Sequence, residues 1–243
     1  MSMPLFRKIV DEAATIGLIH EVCVTGLGEP TLDPHLVDRV QYIRSTVKRD
    51  VFITMFTNGV YLSPRMFDKL MAAGLSFVAV SLNAVTPEQH EAVMGLKDKY
   101  TDVCANINYA IQNRGMGRVE VRAVATGWTR GQIVKFGERW GAAQHGGFGQ
   151  LIHEGNWAGD NRTTHRAFKP SDACSRALGQ IYVTWDGKVT TCCFDPAGTQ
   201  VFGDLNKQTI REVYASPAYV AFREAHFADR ADTYEICKNC TRI

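Results

Sequence analysis

Five of the seven cysteines lie in the last third of the chain, and their spacing limits its fold more than any other feature. They are Cys174, the adjacent pair Cys192 and Cys193, and the closing Cys237-Lys-Asn-Cys240. Between Cys174 and Cys192, Ile181, Val183 and Trp185 alternate with polar residues, Asp186-Gly187 supplies a two-residue turn, and Lys188–Thr191 returns. That pattern predicts a β-hairpin. A hairpin brings Cys174 and Cys192/Cys193 towards one end of a ribbon, and the Cys-x-x-Cys adds two thiols at a bite that suits one metal centre. Four soft ligands from three segments read as an iron–sulfur cluster or a zinc site.

Two other readings of the cysteines compete. Free thiols behave as small hydrophobes, which covers Cys23 and Cys104, each alone in an apolar pattern. Disulfides are the second. Arg7, Lys8, Asp11 and Glu12 interrupt any apolar run of the secretory type. A cytoplasmic, reducing setting is therefore the expectation, and thiol clusters there bind metal more often than they pair.

Lys plus Arg number 27 against 25 acids, for a net charge of +2, and the charges are interspersed. Neither a nucleic-acid partner nor a membrane is expected, since no basic block and no apolar run of spanning length occurs. At 243 residues with 45% apolar content, the chain can bury a large domain and a small appendage.

Ahead of the cysteines, helical and strand patterns alternate. Ser2 and Pro4 open a helix whose Leu5, Ile9, Val10, Ala13 and Ile16 share a face, and Gly17 suits its stop. Further helices are predicted over Pro34–Thr46, Ser63–Ala73, Pro87–Met94, Asp102–Asn113 and Arg130–Ala142. Strands are predicted over Glu21–Thr25, Val51–Phe56, Phe77–Leu82, Val119–Ala125 and Gly149–His153. Near-continuously apolar strands between helices argue for an α/β class with a parallel sheet and crossover helices. The domains are expected at 1–155 and 173–243, joined by a Gly-, Asn-, Arg- and Thr-rich linker over 156–172.

Short motifs follow the strands, where such sheets build their sites. Gly26-Leu27-Gly28-Glu29-Pro30 lets backbone approach a ligand beside a carboxylate, or is a simple turn capped near Thr31 and Asp33. Thr57-Asn58-Gly59 is equally a tight turn. Ser81 and Asn83 could bond a sugar or carboxylate, or cap the next helix. Arg122, mid-strand among apolar residues, requires a ligand carboxylate or a buried Glu. His153, Asn156 and Trp157 sit at the mouth of the last strand, placed to read substrate or to pack under the linker.

Taken together these residues resemble a radical S-adenosylmethionine (radical SAM) protein with a C-terminal SPASM or twitch-type auxiliary-cluster domain. Gly26–Pro30 is similar to the family's Gly-Gly-Glu-Pro motif. Cys174, Gly187, Cys192, Cys237 and Cys240 follow the auxiliary-domain pattern, as do the stretches from Cys192-Cys193-Phe194-Asp195 to Phe202-Gly203-Asp204-Leu205 and Thr209–Tyr214. The resemblance implies a partial (β/α)6 TIM-like barrel missing its first strand, plus a small α+β cysteine-rich domain. It implies S-adenosylmethionine at Gly26, Gly28, Glu29, Pro30, Asn58, Ser81, Asn83 and Arg122. It also implies an auxiliary 4Fe–4S cluster on Cys174, Cys192, Cys237 and Cys240, with Cys193 as a substitute.

The implied activity is that of an oxidoreductase or maturase. A 5′-deoxyadenosyl radical would abstract hydrogen from a peptide, protein or small-molecule substrate, with flavodoxin or ferredoxin as electron donor. The family's Cys-x-x-x-Cys-x-x-Cys, which holds the catalytic cluster, does not occur in these residues. A truncated chain is the expectation, inactive alone, whose first strand would otherwise cover the exposed edge at Val22–Thr25. The alternative is a non-catalytic iron–sulfur or zinc protein, for binding or electron transfer, on a degenerate scaffold.

Overall fold

The structure, a computed structural model, describes residues 1–141, 147–152, 174–195, 197–238 and 240. His153, Asn156, Trp157 and the linker expected over 156–172 lie outside the described residues. In chain order the elements begin with α1 (Met3–Ile16), β1 (Glu21–Cys23), α2 (Leu36–Thr46), β2 (Phe52–Thr57), α3 (Pro64–Ala72) and β3 (Phe77–Ser81). Next come α4 (Pro87–Met94), α5 (Tyr100–Asn113), β4 (Arg118–Val124), α6 (Arg130–Trp140) and β5 (Gly149–Ile152). The cysteine-rich part holds α7 (Ser175–Gly179), β6 (Tyr182–Val183), β7 (Lys188–Thr190), β8 (Val201–Asp204), α8 (Ile210–Tyr214), α9 (Pro217–Phe227) and α10 (Glu235–Lys238). Contacts divide the chain into two compact units, Gly17–His153 and a second that joins Met1–Ile16 to Glu154–Ile243.

In the first unit, β1 to β5 form a parallel sheet whose spatial order follows the sequence. This is the layout of an unclosed (β/α) barrel. Local chemistry sets the helix ends. Ser63, Thr86 and Thr129 each accept from the backbone N–H three residues on, with Pro64 and Pro87 just inside. Gly95 ends α4 in the left-handed conformation.

Residues in register share a sheet face. On one face Ile53, Met55, Val78, Val80, Val119, Val121 and Ala123 are buried, as are Leu36, Val40 and Ile43 of α2, Phe67 and Leu70 of α3, and Val103 and Ile107 of α5. The opposite face carries Glu21 and Cys23, Thr54 and Phe56, Phe77 and Ser81, Glu120 and Arg122, and Gln150. Cys104 is a buried thiol, as expected, and burial raises its pKa. Cys23 is not: it is exposed, because β1 is the edge strand of the sheet and nothing described covers its side chain.

In the second unit β6, β7 and β8 form an antiparallel sheet. The hairpin is present but its turn lies earlier than the Asp186-Gly187 pair suggests. Gly187 N donates to Thr184 O (3.0 Å) and Thr184 N to Lys188 O (2.9 Å), so the turn spans 184–187, with Gly187 at φ +90°. Thr184 Oγ1 accepts from Lys188 N (3.1 Å) and donates to Asp186 Oδ1 (2.5 Å). This side-chain bracing ends the strand early, and Trp185 stands in the turn, 76% exposed.

The core of this unit is Val189, Phe202, Leu205, Ile210, Val213, Tyr219 and Phe222. Tyr219 stacks on Phe202 with centroids 4.5 Å apart, a contact worth roughly 1 kcal/mol beyond the area it buries. Against this core α1 lays the apolar stripe of Leu5, Ile9, Ala13 and Ile16. Polar bonds lock the same helix down. Lys8 Nζ donates to Leu205 O and Gln208 O, each at 2.7 Å, and Glu12 Oε2 accepts from Ile210 N at 2.7 Å. The unit is therefore discontinuous in sequence.

Gly59, just past β2, has φ +80°, and a Cβ there would stand 2.7 Å from Val80 Cγ1 and 3.1 Å from Val103 Cγ1. Gly59→Ala is expected to cost about 2 kcal/mol, from left-handed strain and overpacking, read as a lower urea midpoint.

Candidate cofactor site and cluster pocket

The loops after β1 and β2 are fastened by one carboxylate. Glu29 Oε1 accepts from Thr31 N (3.1 Å), Thr31 Oγ1 (2.5 Å) and Thr57 Oγ1 (2.5 Å), while Oε2 accepts from Asn58 N (2.7 Å). Glu29 thereby caps the 3-10 turn Pro30–Leu32 and pins it to the end of the neighbouring strand. Gly28 has φ +90°, and a Cβ there would meet open space. Asn58 Oδ1 accepts from Val60 N (3.0 Å), and Asn106 Nδ2 donates to Gly59 O (2.9 Å). The Thr57–Gly59 loop is thus held from both sides.

Asn83 fastens the next loop. It lies at φ +53°, its Oδ1 accepts from Val124 N (2.8 Å), and its Nδ2 contacts Met94 Sδ (3.2 Å). Ser81 is half-buried on the polar face of the sheet, in register with Arg122. Gly28, Glu29, Pro30, Asn58, Ser81 and Asn83 therefore all lie at or beyond the carboxyl ends of neighbouring parallel strands.

Arg122 has the buried Glu that its position required. Its Nε is 2.5 Å from Glu120 Oε1, and Glu120 is 4% exposed. The carboxylate also meets Arg118 Nη2 at 3.3 Å, and the Arg122 guanidinium lies over the Phe56 ring at 4.7 Å. On the same face Thr54 Oγ1 donates to Glu21 Oε1 at 2.6 Å. Parallel sheets are ordinarily apolar on both faces, so the paired charges set this face apart from one built only to pack.

In the second unit one pocket gathers the cysteines. Cys174, Cys192, Cys237 and Cys240 line it together with Arg176, Ala177, Thr191, Phe194, Phe222, His226 and Ile236. Cys193 is outside that lining. Cys174 is the N-cap of α7, and Cys192 lies in the loop after β7. Cys240 N donates to Cys237 O (3.2 Å), the tight turn that Cys-x-x-Cys makes. Asp195, 1% exposed, braces the Cys192 loop by accepting from Thr199 N (2.8 Å), Thr199 Oγ1 (2.9 Å) and Gln200 N (3.1 Å).

Burial pushes the Cys192 thiol up to about 11, so a metal would have to displace its proton. Phe194 N donates to Cys192 Sγ (3.4 Å), and His226 Nε2 lies 3.7 Å from Cys237 Sγ. Four thiols in an otherwise largely apolar pocket suit an iron–sulfur cluster. Among the described residues no three metal-binding side chains close around a single-ion site.

Glu120 and His226 are not singled out by the sequence, and Asp195 enters only as part of the Cys192–Asp195 stretch. Glu120 was legible as the same-face neighbour of Arg122 two residues earlier. His226 had a weaker signal, the buried stripe Tyr219, Phe222 and His226 on α9. For Asp195 the stretch gives the position and the structure gives the role, bracing the loop.

Residues 1–129 match the radical SAM superfamily, and residues 174–241 match SPASM, an iron–sulfur cluster-binding domain. A tungsten-containing aldehyde ferredoxin oxidoreductase cofactor-modifying protein of Pyrococcus furiosus is 30% identical over 95 residues, 39% of this chain and 26% of that protein. A PqqA peptide cyclase of Ruegeria pomeroyi is 32% identical over 92 residues, 38% of this chain and 23% of that protein. The matched stretch thus spans about a quarter of the length of these curated relatives. The solved structure of native anSMEcpe with bound AdoMet superposes with a TM-score of 0.69 at 15% identity, covering 99% of this chain and 80% of that one. That likeness gives the fold, a partial barrel with a small cysteine-rich domain. The cofactors that go with these domains are S-adenosylmethionine and 4Fe–4S clusters. The chain belongs to the radical SAM superfamily and carries a C-terminal SPASM iron–sulfur domain.

Proposed function

We propose that this chain forms the S-adenosylmethionine-binding and auxiliary-cluster parts of a radical enzyme that modifies a peptide or protein substrate. The observation that carries the reading is the polar sheet face, where Glu21–Thr54 and Glu120–Arg122 pairs lie beneath fastened strand-end loops. A face built only to pack would be apolar. When bound and given an electron by a reduced cluster, S-adenosylmethionine supplies the 5′-deoxyadenosyl radical that abstracts hydrogen. The residues of the chain do the positioning.

In this reading the Gly26–Pro30 backbone receives the methionine end of the cofactor. Glu29 contributes mainly by fixing that loop, since its oxygens already accept four bonds. Ser81 and Asn83 would meet the ribose, Asn58 would lie near the cofactor, and Arg122, steadied by Glu120 and Phe56, would offer it a cation. Cys174, Cys192, Cys237 and Cys240 hold the auxiliary cluster, with Cys193 in reserve. A cluster held there would accept or relay an electron or anchor substrate, with flavodoxin or ferredoxin as the external donor. The peptide cyclase among the relatives favours a peptide substrate. The alternative reading is a non-catalytic iron–sulfur or zinc protein, for binding or electron transfer, on the same scaffold.

Two measurements test this. After anaerobic reconstitution the chain is expected to hold about four irons and four sulfides. Alanine at Cys174, Cys192, Cys237 or Cys240 should remove them, and Cys193→Ala should not. One zinc without iron would overturn the cluster assignment. In equilibrium dialysis, Ser81→Ala is expected to weaken S-adenosylmethionine binding about fivefold, the worth of one hydrogen bond. Full-strength binding would take Ser81 out of the site, and no binding by the wild-type chain would favour the non-catalytic reading.

A further inference from the structure

Backbone and side-chain groups both address sulfurs in the cysteine pocket. Phe194 N–H is backbone, whereas His226 Nε2, 3.7 Å from Cys237 Sγ, belongs to a side chain. His226 is 3% exposed and lies edge-on to Phe222, with ring centroids 4.7 Å apart. Phe222 is held in turn against Tyr234 and Phe202, each at 4.9 Å. The imidazole therefore has little freedom to turn away from the sulfur, and burying it is costly unless its nitrogens are bonded.

We propose that His226 is a positioning residue for the auxiliary cluster, its Nε2–H donating to the Cys237 sulfur and raising the reduction potential of the cluster. The inference rests on the assignment of Cys237 as a cluster ligand. A thiolate bound to iron has no proton and can only accept, so the nitrogen facing it must carry the hydrogen. That fixes the tautomer. Donation to a ligand sulfur draws electron density from it and favours the cluster state with the extra negative charge, a recognised way of tuning such centres. The couple is a one-electron change confined to the cluster, and the Nε2 proton stays on His226 in both states. The largely apolar lining strengthens the effect, since a hydrogen bond is electrostatically stronger where water is scarce.

The test is a dithionite redox titration of the anaerobically reconstituted chain, wild type against His226→Gln and His226→Leu, with iron and sulfide measured on each. Gln keeps an N–H donor at a similar reach and Leu has none. All three are expected to hold the same iron. The Leu variant should be harder to reduce by about tenfold in the one-electron equilibrium constant, about 59 mV more negative, and the Gln variant should stay near wild type. A Leu variant with the wild-type midpoint would overturn the proposal, as would loss of iron from both variants, which would make His226 a ligand. If Cys237→Ala retained its full iron, the ligand assignment would fail instead, whatever the histidine variants did.

Discussion

The Glu29 carboxylate fastens the end of the sheet on which the proposed cofactor site depends. A short glycine-containing loop has many accessible conformations, and Gly28 at φ +90° adds to them. Four donors from two loops reduce that freedom to one arrangement. The charge suits the task, because hydrogen bonds to an ionised acceptor are about twice as strong as neutral ones. Asn83 repeats the device between β3 and β4 with a side-chain amide. In both places a polar residue that could have met a ligand is engaged with its own backbone, and the site is preorganised by that use.

The cysteine-rich unit meets a different constraint. Its sheet is short and three-stranded, too small to bury much apolar surface unaided. It recruits α1 from the other end of the sequence, with an apolar stripe against Phe202 and Tyr219 and two polar anchors, Lys8 and Glu12. The aromatic cluster around Tyr219 and Phe222 then backs the wall from which His226 reaches the pocket. Cluster pocket, core and N-terminal helix are one mechanical piece.

Much of this was legible in the sequence. The parallel strands were, because apolar runs stopped at Gly, Asn or Pro and helices with clear caps stood between them. The pairing of Arg122 was also legible, since a charge on a buried strand needs an opposite charge and Glu120 is on its face. The hairpin turn was misjudged, because Asp186-Gly187 matches a two-residue turn while the Thr184 hydroxyl supplies a stronger local arrangement. β8 was not foreseen as a strand. It contains Gly203 and Asp204, poor strand formers, yet a Cβ at Gly203 would stand 2.4 Å from Val213 Cγ2, so only glycine lets α8 approach. The apolar neighbours of Cys23 suggest burial, whereas its edge position is a property of topology that no local window carries.

The discontinuity of the second unit sets an order of events at the ribosome. The Lys8 bond to Leu205 joins residues 197 apart, so α1 is made well before anything it binds. At about 5–20 residues per second, its partners follow roughly 10–40 s later. During that interval the whole 17–153 unit is synthesised and its sequential parallel strands can pair. Through all of it the core that the Leu5, Ile9, Ala13 and Ile16 stripe packs against is still unmade. A lone 14-residue helix is marginal in water, so this segment gains its lasting helical order only when Phe202, Tyr219 and their neighbours have been made.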